Sequence, residues 1–292
     1  MKEFYQACNF RRGTVALIEK VNGIVAEYVA QGYRLTVRQL YYQLVARDII
    51  PNTERSYKNT VRMVNDGRLA GLIDWDAIED RTRDFIERAH WSSGKEILDS
   101  CAKQFHMDMW QGQEYRVFVL VEKEALAGVL ERSCRELDIP LLAARGYPSA
   151  SVLREFANER LRHTGEQPVV ILHLGDHDPS GIDMTRDLEE RLRLLSKAKH
   201  SFALERIALN MDQVEELNPP PNPAKVTDSR FEGYAELYGD ESWELDALSP
   251  AYLNDLVTRH AAEYIDRPLW EKREKEIASI KRRIAKVAAD FR

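Results

Sequence analysis

Val117-Phe118-Val119-Leu120-Val121 is an unbroken apolar run that stops on Glu122, and Val169-Val170-Ile171-Leu172-His173-Leu174 is a second that stops on Gly175-Asp176-His177-Asp178. Short apolar runs without polar alternation read as strands covered on both faces. Around them the pattern predicts helices over 125–137, 151–163 and 182–195, with further strands over 140–144 and within 202–209. The order β-α-β-α-β-α predicts an α/β fold: a mostly parallel sheet with helices on both faces.

Upstream the period is helical. Val15, Ile18, Val21, Val25, Tyr28 and Val29 predict an amphipathic helix over 14–31, with Gly32 as its stop. Thr36 is the natural N-cap of a second helix that carries Val37 to Val45 and ends near Asp48, before Pro51. Asn52 or Thr53 caps a third, through Ser56, Tyr57, Val61 and Val64 to Leu69, and Gly71-Leu72-Ile73-Asp74-Trp75 reads as a short strand or wing. Three helices and a short extended element predict a winged helix-turn-helix-like DNA-binding domain, its basic third helix in the recognition position.

The segment 91–113 reads as irregular and polar, which places the domain boundary there: 1–112 for the helical domain, 113–292 for the sheet domain and its carboxy-terminal extension. Asn218-Pro219-Pro220-Pro221-Asn222-Pro223 reads as a stiff extended loop. No periodicity follows it until a helix near Pro250. The charged helix over 270–291 suits packing or a dimer contact, or equally a solvated terminus.

With 292 residues, 44% hydrophobic and 31% charged, wholesale disorder and the fibrous classes are excluded. No run of about 18 apolar residues and no signal-peptide core occurs, so a cytoplasmic protein with no membrane partner is expected. Cys8, Cys101 and Cys134 are too scattered for a disulfide framework or a recognisable zinc site. The net charge of −6 argues against nucleic acid, but its distribution does not. Residues 34–68 hold seven basic and three acidic side chains, whereas 210–250 holds ten acidic and two basic ones. Local patches govern phosphate affinity more than the sum does.

Two places carry chemistry. In α/β sheets functional groups gather at the carboxyl ends of strands, where Glu122, Asp176 and Asp178 stand. Three clustered carboxylates repel unless a cation joins them, and an all-oxygen set suits Mg²⁺. The plainer reading is that such acids cap helices. The second place is the helix after Thr36. Val37, Leu40, Tyr41 and Leu44 form one apolar stripe, which leaves Tyr42 displayed with Arg38 one turn before it. A phenol titrates near about 10, so an adjacent guanidinium that favours phenolate and grips phosphate suits attack on a phosphodiester. The alternative is that Tyr42 packs against the neighbouring domain.

Together these residues resemble a known family. Thr36-Val37-Arg38-Gln39-Leu40-Tyr41-Tyr42 is similar to the tyrosine-bearing motif of the topoisomerase VI A subunit and the related meiotic double-strand-break protein. Val119-Leu120-Val121-Glu122-Lys123-Glu124-Ala125, Ala144-Arg145-Gly146-Tyr147-Pro148-Ser149 and Gly175-Asp176-His177-Asp178-Pro179-Ser180-Gly181 resemble its Toprim motifs, in order, so that the likeness spans 35–185. Asn222-Pro223-Ala224-Lys225-Val226-Thr227-Asp228-Ser229-Arg230 and Trp243-Glu244-Leu245-Asp246-Ala247-Leu248 resemble a signature of phage- and bacteria-borne relatives.

The resemblance implies Tyr42 as nucleophile, Glu122, Asp176 and Asp178 as Mg²⁺ ligands, double-stranded DNA as substrate and a nucleoid-associated setting. It further implies a homodimer in which the tyrosine of one protomer works with the metal of the other, leaving 5′-phosphotyrosyl links at a staggered double-strand break. The chain is shorter than a full A subunit and has no Gly-x-x-x-x-Gly-Lys segment. Strand passage would require a separate ATPase B-type subunit, or does not occur. Two other readings stay open: a Toprim-type metal-dependent endonuclease in which Tyr42 only touches the backbone, and a DNA-binding module without turnover. The sequence does not decide the part played by the acidic region, Glu244 and Asp246 included.

Overall fold

A computed structural model describes residues 1–79, 88–144, 146–161, 166–196 and 201–290. The amino-terminal unit is built on α1 (Arg12–Ala30), β1 (Leu35–Thr36), α2 (Val37–Ala46), α3 (Glu54–Leu69) and β2 (Ile78–Glu79). Thr36 caps α2 in a reciprocal box: Gln39 N–H donates to Thr36 Oγ1 at 3.2 Å, and Thr36 N–H donates to Gln39 Oε1 at 2.8 Å. Thr53, rather than Asn52, caps α3 through its bond from Ser56 N–H at 3.1 Å. Ile18, Val21, Leu35, Leu40, Leu44, Met63 and Ile73 close the core of this unit.

The expected wing at 71–75 is absent. Gly71, at φ +71°, turns the chain, and the N–H groups of Leu72 and Ile73 both return to Gly67 O. This turn drives Ile73 fully into the core. The extended pairing lies instead between β1 and β2, in parallel register.

The segment read as irregular contains a helix, α4 (Gly94–Gln104), capped by Ser93. It packs on the last helix of the chain. The sheet follows, with β3 (Arg116–Val121), β4 (Leu141–Ala143), β5 (Val169–Leu174) and β6 (Phe202–Ala208) in the order β4-β3-β5-β6, every pair parallel. Between strands run α5 (Ala127–Glu136), α6 (Ala150–Glu155), continued by a π-helical turn to Leu161, and α7 (Pro179–Leu195). Residues 162 and 163 of the predicted helix 151–163 lie outside the described residues.

The sheet is buried on both faces. Val117, Val119, Val121, Val170, Leu172 and Leu174 join the cluster on one side, whereas Phe118, Leu120, Val169 and Ile171 meet Leu153, Leu188 and Leu192 on the other. That double burial is why the strands read as continuous apolar runs. Val121 is level with Leu174, so β3 and β5 end together.

The carboxy-terminal part adds α8 (Met211–Leu217), β7 (Asn222–Pro223), α9 (Phe231–Tyr238), β8 (Glu241–Ser242), a 3₁₀ turn (Leu245–Ala247), α10 (Pro250–Ala262) and α11 (Arg267–Asp290). β7 pairs with β8 in antiparallel register. α9 lies in the stretch read as aperiodic. Trp270 and Ile277 of α11 join the main cluster, with the Trp110 and Trp270 rings 5.7 Å apart. α11 therefore packs on its own chain. Among the described residues no helix is long and apolar enough to cross a membrane.

Candidate functional site

The two units meet where α2 lies on the 3₁₀ turn. Tyr41, Tyr42 and Val45 share a small apolar cluster with Ala247. Tyr42 is 2% exposed, which corrects the expectation of a displayed phenol. The helix wheel placed Val37, Leu40 and Leu44 correctly against the first core, but Tyr41, expected on the same stripe, lies in the cluster with Tyr42 instead. It could not register that residues two hundred positions downstream cover the opposite face.

The cover is polar at the phenol itself. Asn222 Nδ2 donates to Tyr42 Oη at 3.1 Å. Burial pushes the Tyr42 phenol well above its ordinary pKa, and the negative charge of Glu244 adds to this against the opposing pull of Asn222 and Arg38. Tyr41 Oη donates to Asn52 Oδ1 at 2.7 Å, and Asn52 Nδ2 donates to Pro221 O at 2.7 Å and Asn222 Oδ1 at 3.0 Å. The proline-rich segment is thus bound across both tyrosines.

Arg38 holds Glu244 with Nε at 2.9 Å from Oε2 and Nη2 at 2.5 Å from Oε1, a two-pronged grip. Burial pushes the Glu244 carboxyl up, but Lys123 and Arg38 outweigh it and hold the pKa at about 2. Lys123 Nζ stands 2.9 Å from Glu244 Oε2, 2.8 Å from Asp176 Oδ2 and 2.8 Å from Asp246 Oδ2. Burial lowers the affinity of Lys123 for its proton, yet these three charges hold its pKa above the ordinary lysine value. A continuous ionic path therefore runs from the tyrosine helix through Arg38, Glu244 and Lys123 to the strand-end acid Asp176.

The three expected metal ligands are neighbours with separate local duties. Glu122 Oε2 accepts from Asp176 N–H at 3.0 Å. Burial and the charge of Asp176 push the Glu122 pKa up. Asp176 Oδ1 accepts from Leu245 N–H at 2.7 Å. Asp178 caps α7, its Oδ1 accepting from Gly181 N–H at 2.6 Å and from Ser180 Oγ at 3.0 Å. Gly181 allows that turn: a Cβ there would lie 2.3 Å from Asp176 O. Arg206 ties the loop from beneath, donating to Gly175 O at 3.1 Å, Asp176 O at 2.6 Å and Gly181 O at 2.9 Å.

Among the described residues, no three histidine, cysteine, aspartate or glutamate side chains stand ready to hold a metal. The donor chemistry nevertheless fits a hard divalent cation. Glu122, Asp176, Asp178, Glu244 and Asp246 face Arg38, Lys123 and Arg206, so the cluster is formally short of two positive charges. Asp246 is fully buried, and neither of its carboxylate oxygens has a hydrogen-bond partner. Oδ2 has only its ionic contacts, with Lys123 and with Arg38 Nε at 3.8 Å.

His177 is a core residue, its Nδ1 2.8 Å from Tyr234 Oη. The motif at 144–149 meets the one at 222–230 on Asp183, which accepts from Tyr147 Oη at 2.8 Å and pairs with Arg230 Nε at 3.0 Å. Arg145 lies outside the described residues. Of the basic residues in 34–68, Arg55 and Lys58 are exposed on α3 together with Arg62, while Arg68 donates to Trp75 O and Ile78 O.

Sequence reasoning gave no role to Lys123, Asn222 or Arg206, and left Glu244 and Asp246 undecided. Two signals were present: Lys123 directly follows Glu122, and Glu244-x-Asp246 repeats the acid-x-acid spacing of Asp176 and Asp178. No family model and no curated protein matches this chain.

Proposed function

We propose that this chain cleaves double-stranded DNA by tyrosine transesterification, in the manner of a topoisomerase VI A subunit, with Tyr42 as nucleophile. The observation that carries the reading is the convergence of the tyrosine helix and the strand-end acids on one ionic path, Arg38–Glu244–Lys123–Asp176.

Tyr42 Oη forms the bond to phosphorus as the bond from phosphorus to the 3′ oxygen breaks. The phenol proton is lost to solvent, and the 3′ oxygen gains one. Arg38 steadies phenolate and phosphate together, the more so once its carboxylate partner gives way to the incoming phosphodiester. A divalent cation on the acid cluster centred on Asp176 would offset charge on the phosphate and the leaving oxygen. The sealed phenol makes this arrangement a closed form, in which the tyrosine docks on acids of its own chain. Work across a homodimer, as the family resemblance implies, requires that the 221–223 segment lift.

A second reading has one observation in its favour. A buried phenol with a raised pKa is a poor nucleophile, as a Toprim-type nuclease using activated water would tolerate. Incubation with supercoiled DNA and Mg²⁺, followed by a detergent quench, separates the two. Transesterification predicts DNA covalently bound to protein, lost in Tyr42→Phe. Cutting that survives Tyr42→Phe but not Asp176→Ala establishes the nuclease instead.

A further inference from the structure

The positions of the acids point to a different cation site from the one implied by the strand-end triad. We infer that a divalent cation binds where Lys123 Nζ now lies, on Asp176, Glu244 and Asp246, and that Lys123 is a resident cation which the ion displaces. This deepens the reading above, on which its catalytic meaning rests.

Three carboxylate oxygens, one from the strand-end loop and two from the 244–246 stretch, already surround one positive centre, at 2.8, 2.9 and 2.8 Å. Glu122 and Asp178 direct oxygens to backbone N–H groups, Asp178 as a helix cap, whereas Asp176, which also accepts from Leu245 N–H, turns its other oxygen to Lys123. Asp246 supplies an independent sign. A fully buried carboxylate with no hydrogen bond to either oxygen is costly unless a cation compensates it, and the Asp246 side chain is 0% exposed. Lys123 touches all three acids with a single charge, and a divalent ion would bring twice that charge to the same point.

Size permits the exchange. Oxygen ligands stand about 2.1 Å from Mg²⁺ and about 2.3–2.6 Å from Ca²⁺, so the three acids close inward by a fraction of an ångström once the ammonium withdraws. Lys123 has the means to withdraw, with a flexible four-carbon stem and a side chain that is 20% exposed. The exchange also alters Arg38. A Glu244 carboxylate turned toward the ion loosens its grip on that guanidinium, so cation binding releases Arg38 and Lys123 together for a phosphate beside Tyr42.

The test measures Mn²⁺ binding to the DNA-free chain by electron paramagnetic resonance titration. Lys123→Met removes the competitor and is expected to tighten binding at least about tenfold, about 1.4 kcal/mol. Asp246→Asn should weaken it by a similar factor, and Asp178→Asn should leave it within about twofold of wild type. The wild-type chain gives a second measurement that needs no variant to fold: Ca²⁺ should raise the rate of Lys123 reductive methylation, followed by mass spectrometry. The inference is overturned if Asp178→Asn abolishes binding while Asp246→Asn retains it, or if Ca²⁺ leaves Lys123 equally protected. A chain that binds Mn²⁺ in this way yet forms no DNA adduct sinks the transesterase reading and leaves the cation site standing.

Discussion

His173 is fully buried on the sheet face beneath α7, its Nδ1 3.0 Å from Thr185 Oγ1 and its Nε2 without a partner. Burial, and then the charge of Arg206, hold its pKa at about 3. Between the unfolded value near 6.5 and that figure, the unfolded chain binds a proton that the folded chain refuses. Stability from this group is therefore complete above about pH 6.5 and falls as the pH drops, by about 1.4 kcal/mol per unit. His173→Gln is expected to lose about 2 kcal/mol less than wild type between pH 7 and pH 5, read from urea unfolding. Equal losses in the two proteins would show that His173 titrates normally. At this scale the sequence was legible where a residue's place follows from its neighbours in the chain. Glu122, Asp176 and Asp178 could be placed because the first follows one apolar run directly and the other two follow the end of a second. Tyr42 could not, because its cover comes from Asn222 and Ala247.

Among elements, local chemistry predicted those whose signals are self-contained. The Thr36 cap is one, and Thr36→Ala is expected to cost about 1 kcal/mol by removing an acceptor and half of a reciprocal box. A drop in the urea midpoint with unchanged slope would register it; no change would mean that α2 is held by packing alone. The strands were legible because burial on both faces leaves no polar residue to confuse the period. The misses share a cause. α4 and α9 bury little, Ala102 in one and Tyr234 in the other, and the apolar positions they carry (Ile97, Leu98, Cys101 and Ala102; Phe231, Tyr234, Ala235 and Tyr238) span only about two turns each, too short a period to stand out. Both are helices whose reason for existing is a neighbour far away in the chain.

For the molecule as a whole, the contact at α2 between its two units joins a small apolar cluster, Tyr41, Tyr42, Val45 and Ala247, to the Arg38–Glu244 pair and the bond from Asn222 to Tyr42. Removing these two ties should loosen the cover over Tyr42 without unfolding either core. The double variant Glu244→Ala/Asn222→Ala is expected to raise acetylation of Tyr42 by N-acetylimidazole about tenfold, as a local opening of about 1.4 kcal/mol lower free energy. Tyr28 and Tyr234, buried within the two units, should react as before. If Tyr42 stays protected, its seal is the hydrophobic contact with Ala247 instead.

The asparagine bridge over the tyrosines also has a direction. Tyr41 Oη donates to Asn52 Oδ1, Asn52 Nδ2 donates to Asn222 Oδ1, and Asn222 Nδ2 donates to Tyr42 Oη, so every bond runs the same way along the row. Tyr42 Oη ends that relay as a receiver, and its own hydrogen is left to face Glu244. Because Asn52 immediately precedes the cap of the basic helix, a pull on the start of α3 breaks the row in its middle. The last phenol then keeps its bond from Asn222, but the Asn222 amide has lost the partner on Asn52 that fixes its orientation.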